Sequence, residues 1–276
     1  MQNNFQYSDA PIGVFDSGVG GLSVLCEIRR ALPSEDLIYV ADTGNAPYGD
    51  RASDFIQKRA EAVVEFLLSQ QVKAIVVACN TATAVAIQNL RAQFAVMLVA
   101  IEPAVKPAVQ ATRSGVIAVL ATRQTLASDN FSRLIERHGK GVEVLLQACP
   151  GLVEQVEKGS LDGAEAEILL TEYIAPLLQR RVDTLVLGCT HYPFLSPLIQ
   201  KIVGDTVTII DPAAAVAREL SRRLQAQQLL NSKRSGGVEQ FLTSGAPEQV
   251  APIVSKLWGQ RVHMEILPTA VTPVEN

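Results

Sequence analysis

The stretch Ala74–Thr81, with the sequence A-I-V-V-A-C-N-T, is an apolar run that turns polar at Cys79. The stretch Leu185–His191, L-V-L-G-C-T-H, repeats this arrangement around Cys189, 110 positions further along the chain. Each predicts a buried strand that ends at a small residue and a thiol, followed by residues that can begin a helix. Backbone N–H groups and the helix dipole favour a thiolate at such a junction. Two thiols facing one cleft could therefore act as acid and base on opposite sides of one carbon, which is racemase chemistry without a cofactor.

Alternation of apolar runs with helical patterns predicts the fold class. Two helical segments are clear, at Ala52–Gln71 and Ala164–Arg181. The candidate strands are Pro11–Asp16, Leu37–Ala41, Ala74–Ala78, Met97–Ile101, Val116–Ala121, Glu143–Gln147, Thr184–Gly188, Val207–Ile210, Glu239–Thr243 and His263–Leu267. Charged residues make up only 19% of the chain, which favours strands buried on both faces. The sequence therefore predicts an α/β protein of mostly parallel sheets flanked by helices.

Composition narrows the class of protein and its compartment. The formal net charge is −4 and no Lys/Arg-rich run occurs, which argues against direct nucleic-acid binding. No apolar stretch is long enough to span a membrane, and the polar first ten residues have no signal-peptide core. Those ten residues are expected to be a disordered or regulatory piece. Four cysteines without a C-x-x-C pair favour a reduced cytoplasm.

Two similar segments suggest where the chain crosses between two lobes. Val99–Ala104 reads V-A-I-E-P-A and Thr208–Ala213 reads T-I-I-D-P-A, each a strand followed by acid-Pro-Ala. Two ordinary strand-to-loop exits would give the same pattern. Interpreted as crossings, they predict a first α/β lobe of residues 1–102 plus 212–276, carrying Cys79, and a second of residues 103–211, carrying Cys189. The cysteines would then face each other across an interlobe cleft, where ligand sites often form.

Two further motifs follow predicted strands. Asp16–Gly21, D-S-G-V-G-G, opens a helix, and its free N–H groups can attract anions. Its spacing is not that of a dinucleotide fingerprint, and no P-loop lysine follows. Pro47–Gly49, P-Y-G, taken alone favours an ordinary Pro/Gly turn. A free cysteine is usually a small buried hydrophobe, which suits Cys26 and Cys149.

Together, the motifs D-S-G-V-G-G, P-Y-G, A-C-N-T-A and G-C-T-H-Y-P resemble those of the glutamate racemases of bacterial cell-wall synthesis, within the cofactor-independent Asp/Glu racemase superfamily. The likeness extends over nearly the whole chain. It implies interconversion of L- and D-glutamate by two thiols, Cys79 and Cys189, with no pyridoxal phosphate, metal or nucleotide. It also implies a cytoplasmic homodimer that supplies D-glutamate for peptidoglycan.

The resemblance also assigns roles to individual residues. Asp16 would handle protons and contact the substrate amine, His191 would assist Cys189, and Glu157 would support His191. The alternative interpretation of Glu157 is a solvated helix charge. The Thr122–Thr125 segment matches a T-x-x-T loop, with Ala121 where relatives often carry Gly. The residues implied to bind substrate are Asp16, Ser17, Pro47, Tyr48, Gly49, Asn80, Thr81, Thr122, Thr125, Thr190 and His191.

Three other functions use some of the same residues. A racemase for aspartate or another acidic amino acid would share the paired thiols. A non-catalytic two-lobed protein that binds an anionic metabolite would use the helix starts but would not need two cysteines. A hydrolase with Cys189 as nucleophile and His191 as base would leave Cys79 unexplained.

Overall fold

The computed structural model describes residues 8–232 and 236–268. Most of the expected N-terminal piece, residues 1–7, lies outside that range. The strands are β1 Ile12–Asp16, β2 Leu37–Ala41, β3 Ala74–Val77, β4 Met97–Ala100, β5 Val116–Ala121, β6 Glu143–Ala148, β7 Thr184–Leu187, β8 Thr208–Ile210, β9 Glu239–Thr243 and β10 Met264–Ile266. The helices are α1 Leu22–Ala31, α2 Ser53–Ser69, α3 Asn80–Gln93, α4 Val105–Ala111, α5 Arg123–Leu126, α6 Asp129–His138, α7 Leu152–Glu157, α8 Ala164–Gln179, α9 Ser196–Val203, α10 Ala213–Ala226 and α11 Pro247–Trp258.

Two parallel sheets organise these elements. The first has the order β10-β9-β2-β1-β3-β4 and the second the order β6-β5-β7-β8. Every strand pair in both sheets is parallel. The predicted α/β class with parallel sheets flanked by helices is confirmed, and each candidate strand is found with ends shifted by at most one residue. Apolar runs bounded by polar turns account for this agreement.

The sheet membership of the strands follows two segments of the chain. Strands β1–β4 share the first sheet with β9 and β10, whereas β5–β8 form the second. The lobe boundaries at residues 102/103 and 211/212 stay a prediction. Among residues 8–232 and 236–268, no helix is both long and apolar enough to cross a bilayer.

Both faces of the first sheet are buried, because successive side chains of a strand point to opposite sides. On one face, Val14 belongs to an apolar cluster with Leu25 of α1 and Leu220 of α10. On the other face, Phe15 belongs to a cluster with Val63 of α2. The Val14 cluster continues into the second sheet through residues such as Leu120 and Leu187. One continuous apolar core therefore joins the two sheets.

Helix α10 tests how much the returning chain stabilises the first sheet. Leu220 is fully buried in the shared cluster. We expect Leu220→Ala to lower the free energy of unfolding by about 2–5 kcal/mol, because it leaves a cavity in the core. The exposed Arg218 lies on the same helix, and Arg218→Ala should change stability by no more than about 0.5 kcal/mol. Urea denaturation of both variants checks this, and equal losses would contradict the assigned burial.

Candidate active site

The predicted thiols lie at the carboxyl ends of their strands. Cys79 follows β3 and caps the N-terminus of α3, where its Sγ accepts a hydrogen bond from the Ala82 N–H at 3.4 Å. Its Sγ also donates to Ser17 Oγ at 3.4 Å. Cys189 follows β7, and its Sγ lies 3.6 Å from Nδ1 of His191. Both cysteines are almost completely buried.

The protonation of Cys79 differs from the expectation based on its helix start. Burial raises the pKa of Cys79 to about 12, and the neighbouring Asp16 carboxylate adds to the rise. The hydrogen bonds with Ser17 and Ala82 oppose this shift without overcoming it, and negative charge on Cys189 raises the pKa further. The Ala82 N–H lowers the pKa, as expected at a helix start, but desolvation outweighs this contribution and the net shift is upward.

Each ring nitrogen of His191 has a hydrogen-bonding partner. Its Nε2 lies 2.6 Å from Oε1 of Glu157, and the same oxygen accepts the Val19 N–H at 2.8 Å. Burial alone would lower the pKa of His191, but the contacts with Cys189 and Glu157 raise it well above its usual value. The imidazole beside Cys189 is thus held ready to carry a proton. Glu157 is engaged in the site and is not a solvated helix charge.

The glycine run leaves room for this pair. A Cβ at Gly18 would lie 1.9 Å from Oε1 of Glu157, and one at Gly20 would lie 2.4 Å from Nδ1 of His191. Any side chain at either position would displace the acid or the imidazole. Because these positions are glycines, Glu157 and His191, which come after strands of the second sheet, can contact the loop after β1.

Asp16 connects the two thiol loops. Its Oδ1 accepts the Gly18 N–H at 2.8 Å, and its Oδ2 accepts the Thr190 hydroxyl at 2.9 Å. Burial raises the pKa of Asp16, while the charge of His191 and these two hydrogen bonds act against the rise. Ser17, the neighbour of Asp16, contacts Cys79, and Thr190 directly follows Cys189. The Asp16–Thr190 hydrogen bond therefore connects the segment that contacts Cys79 with the loop of Cys189.

Three threonines form a second contact between the loops that follow the two sheets. The Oγ1 of Thr81 lies 2.9 Å from that of Thr122 and 3.2 Å from that of Thr125. The Thr122 hydroxyl also caps α5 by accepting the Thr125 N–H at 3.2 Å. The structure thus brings the predicted T-x-x-T segment directly against the loop of Cys79.

Asn80 carries the one conspicuous unmet hydrogen-bonding demand at this edge. Its side chain is 3% exposed, and within the described part of the chain neither its amide oxygen nor its amide nitrogen has a partner. Leaving such a group buried and unpaired is costly, so the amide is suited to contact a ligand.

The Pro47–Gly49 loop reaches the same cleft through its backbone. Gly49 packs on Thr122, since a Cβ at Gly49 would lie 3.0 Å from Thr122 Cβ. The Tyr48 hydroxyl donates to Asp42 Oδ2 at 2.5 Å, and the residue is 1% exposed. Burial, with a further contribution from Asp42, raises the pKa of Tyr48 well above its usual value. Because Asp42 engages the hydroxyl, the backbone is the polar group at position 48 that remains for a ligand.

Some residues that build the site were not predicted. Ser23 donates to the carbonyl of Gly20 at 2.9 Å and to that of Thr190 at 3.0 Å, and Tyr39 donates to the Gly18 carbonyl at 2.8 Å. Each supports a loop that carries a predicted residue. Their sequence signal is weak, because both lie inside regular elements, α1 and β2, whose patterns already explain them as core.

Known proteins resemble this chain in sequence and in structure. The sequence profile described as Asp/Glu/Hydantoin racemase matches residues 12–220. The chain belongs to this family. A glutamate racemase of Methylococcus capsulatus is 53% identical over 251 residues, which cover 91% of this chain and 93% of the relative.

Solved structures of the same family agree with this assignment. The crystal structure of a glutamate racemase from Bacillus anthracis superimposes with a TM-score of 0.87 at 35% identity, covering 95% of this chain and 99% of that one. Glutamate racemase from Francisella tularensis, in complex with D-glutamate, gives 0.84 at 31% identity, covering 95% and 98%. The predicted resemblance to glutamate racemases is confirmed, and this chain is an amino-acid racemase.

The coupling of His191 to Glu157 makes a testable prediction about proton binding. Because Glu157 holds the pKa of His191 high, Glu157→Gln should lower the pH at which the imidazole loses its proton. The stabilising contribution of the charged pair is complete below the unfolded pKa of about 6.5 and is lost as the pH rises through the folded value. NMR titration of the ring nitrogens in the native protein and in Glu157→Gln measures this difference, and His191→Asn identifies the His191 resonances. An identical His191 titration in the native protein and in Glu157→Gln would contradict the coupling.

Proposed function

We propose that this racemase interconverts L- and D-glutamate by transferring protons between Cα and two thiols, Cys79 and Cys189. One thiolate removes the α-proton, leaving a carbanion at Cα, and the thiol on the opposite face returns a proton. The observation that carries the proposal is the pair of buried cysteines, each following a strand of a different sheet. The Asp16–Thr190 hydrogen bond connects the segments next to them. A binding protein would not need this pair.

The two thiols have different neighbours. Cys189 lies beside His191, which Glu157 keeps ready to hold a proton. Cys79 lies beside Ser17, and its burial, with a further contribution from the charge of Asp16, favours the protonated form. In this proposal Asp16 contacts the substrate ammonium, whose positive charge would offset the effect of Asp16 on Cys79.

The polar groups around the thiols suit a substrate with two carboxylates. The unpaired amide of Asn80 and the first N–H groups of α3 point to one anion-binding position. The hydroxyls of Ser17, Thr81 and Thr190 offer further hydrogen bonds. The remaining proposed contacts come from Thr122, Thr125, His191 and the backbone of Pro47–Gly49.

Burial of the site lowers the barrier for a difficult proton transfer. The α-carbon of an amino acid is a weak acid, so the carbanion must be stabilised where it forms. In a site that excludes water, fixed N–H groups and hydroxyls act on the developing carboxylate charge more strongly than they do in water. The named relatives further support glutamate as substrate. D-glutamate for peptidoglycan would be the product, formed in the cytoplasm by a homodimer.

The decisive test is conversion of L-glutamate to D-glutamate by the purified protein without added cofactor, followed by a D-glutamate-specific coupled assay. We expect turnover with glutamate and at least about tenfold lower kcat/KM with aspartate, because the shorter side chain misplaces one carboxylate. The Asp/Glu/Hydantoin racemase family also leaves room for an aspartate enzyme. Preference for aspartate would overturn the choice of substrate, and binding without turnover would overturn the enzyme.

Replacing either catalytic thiol tests the two-base mechanism. We expect Cys79→Ala and Cys189→Ala each to lower kcat/KM by about 10⁴-fold, because each removes one proton carrier. The loss must be equal in both directions, since enantiomers have equal free energies. Cys26→Ala, at a half-buried position on α1, is the matched control and should keep native turnover. Native turnover in D₂O should place deuterium at Cα, and racemisation by either single variant at the native rate would contradict the mechanism.

A further inference from the structure

A buried ion pair between Arg59 and Asp42 lies next to the Pro47–Gly49 loop. Arg59, in the middle of α2, donates from Nη2 to Asp42 Oδ1 at 2.8 Å and from Nε to Asp42 Oδ2 at 3.0 Å. Both side chains are at most 1% exposed. A paired guanidinium and carboxylate in this bidentate geometry is the arrangement that makes burial of two charges tolerable.

Asp42 uses its remaining acceptor capacity on the loop that follows it. The Tyr48 hydroxyl donates to Oδ2 at 2.5 Å, and the Asn45 amide donates to Oδ1 at 3.0 Å. Asp42 itself is fixed at the end of β2, because its N–H donates to the Asp16 carbonyl at 2.9 Å. The loop from residue 43 to residue 49 is therefore held to one carboxylate at two points, Asn45 and Tyr48.

This carboxylate also sets where the loop meets the other side of the cleft. Gly49, next to Tyr48, packs on Thr122, and Thr122 contacts Thr81 in the loop of Cys79. Tyr48 cannot turn its hydroxyl to a substrate without leaving Asp42. The backbone of Pro47–Gly49 is thus held at a fixed distance from the thiol loops by groups that do not themselves reach the cleft.

We propose that Asp42 and Arg59 are positioning residues that hold the Pro47–Gly49 backbone in place to bind the substrate. The proposal rests on the proposed function, because it assumes that this loop binds glutamate. Asp42 and Arg59 act through Tyr48 and have no contact with the reacting carbon. Replacing Asp42 or Arg59 should therefore weaken binding of the substrate groups that lie away from the reacting Cα.

A second buried ion pair in the same sheet gives a matched control. Lys73 pairs with Glu35, and both side chains are at most 2% exposed. These residues precede β3 and β2 respectively, so they lie at the amino ends of the strands, opposite the cleft. Asp42→Asn and Glu35→Gln each remove one buried negative charge without a change of shape. Only the first lies next to the loop.

The experiment compares KM, kcat and melting temperature for Asp42→Asn, Glu35→Gln and Tyr48→Phe in the full chain. We expect Asp42→Asn and Tyr48→Phe to raise KM for glutamate about tenfold with a smaller change in kcat, since uniform binding is lost. Glu35→Gln should lower the melting temperature and leave KM at the native value. Tyr48→Phe keeps the Arg59–Asp42 pair and so remains informative if Asp42→Asn does not fold.

The outcomes separate this proposal from the function on which it rests. A native KM in Tyr48→Phe, or an equal rise of KM in Glu35→Gln and Asp42→Asn, would overturn the positioning role while the native enzyme still racemises glutamate. A native protein that does not racemise glutamate would overturn the proposed function and this inference with it.

Discussion

The surroundings of both thiols depend on the contact between Glu157 and the glycine run after β1. Oε1 of Glu157 accepts the Val19 N–H and holds Nε2 of His191, in space that any side chain at position 18 would occupy. His191 in turn lies against Cys189. The proton partner of the second thiol is therefore built partly from the first sheet. Residues from both sheets must meet before either thiol has its full surroundings.

Burial gives this contact its chemical effect. The same apolar core runs behind both sheets, and it excludes water from the polar groups at their carboxyl ends. Desolvation raises the pKa of Cys79 and of Asp16. The pKa of His191 is raised by Cys189 and Glu157 against the effect of burial. Hydrogen bonds in such surroundings are stronger than in water, and unpaired groups such as the Asn80 amide cost more. A polar ligand satisfies that demand.

The sequence predicted the strands and the residues at their ends, because both depend on local patterns. Asp16, Cys79 and Cys189 each end a short apolar run, and parallel pairing brings Asp16 and Cys79 to one edge of the first sheet, with Cys189 at the carboxyl edge of the second. The Arg59–Asp42 pair escaped prediction because its members are 17 residues apart and a helical arginine usually faces solvent. The upward shift of the Cys79 pKa was not predictable, because a helix start is visible in the sequence, whereas the depth of burial is set by the whole fold.

The order of strands in the first sheet has a consequence for synthesis of the chain. β9 lies directly beside β2 and β10 lies outside it, yet both are made after every strand of the second sheet. On the ribosome, all strands of the second sheet, β5–β8, have been made while β2 still lacks its neighbour β9. The nascent chain therefore carries an exposed strand edge at β2 until β9 has been made and can cover it.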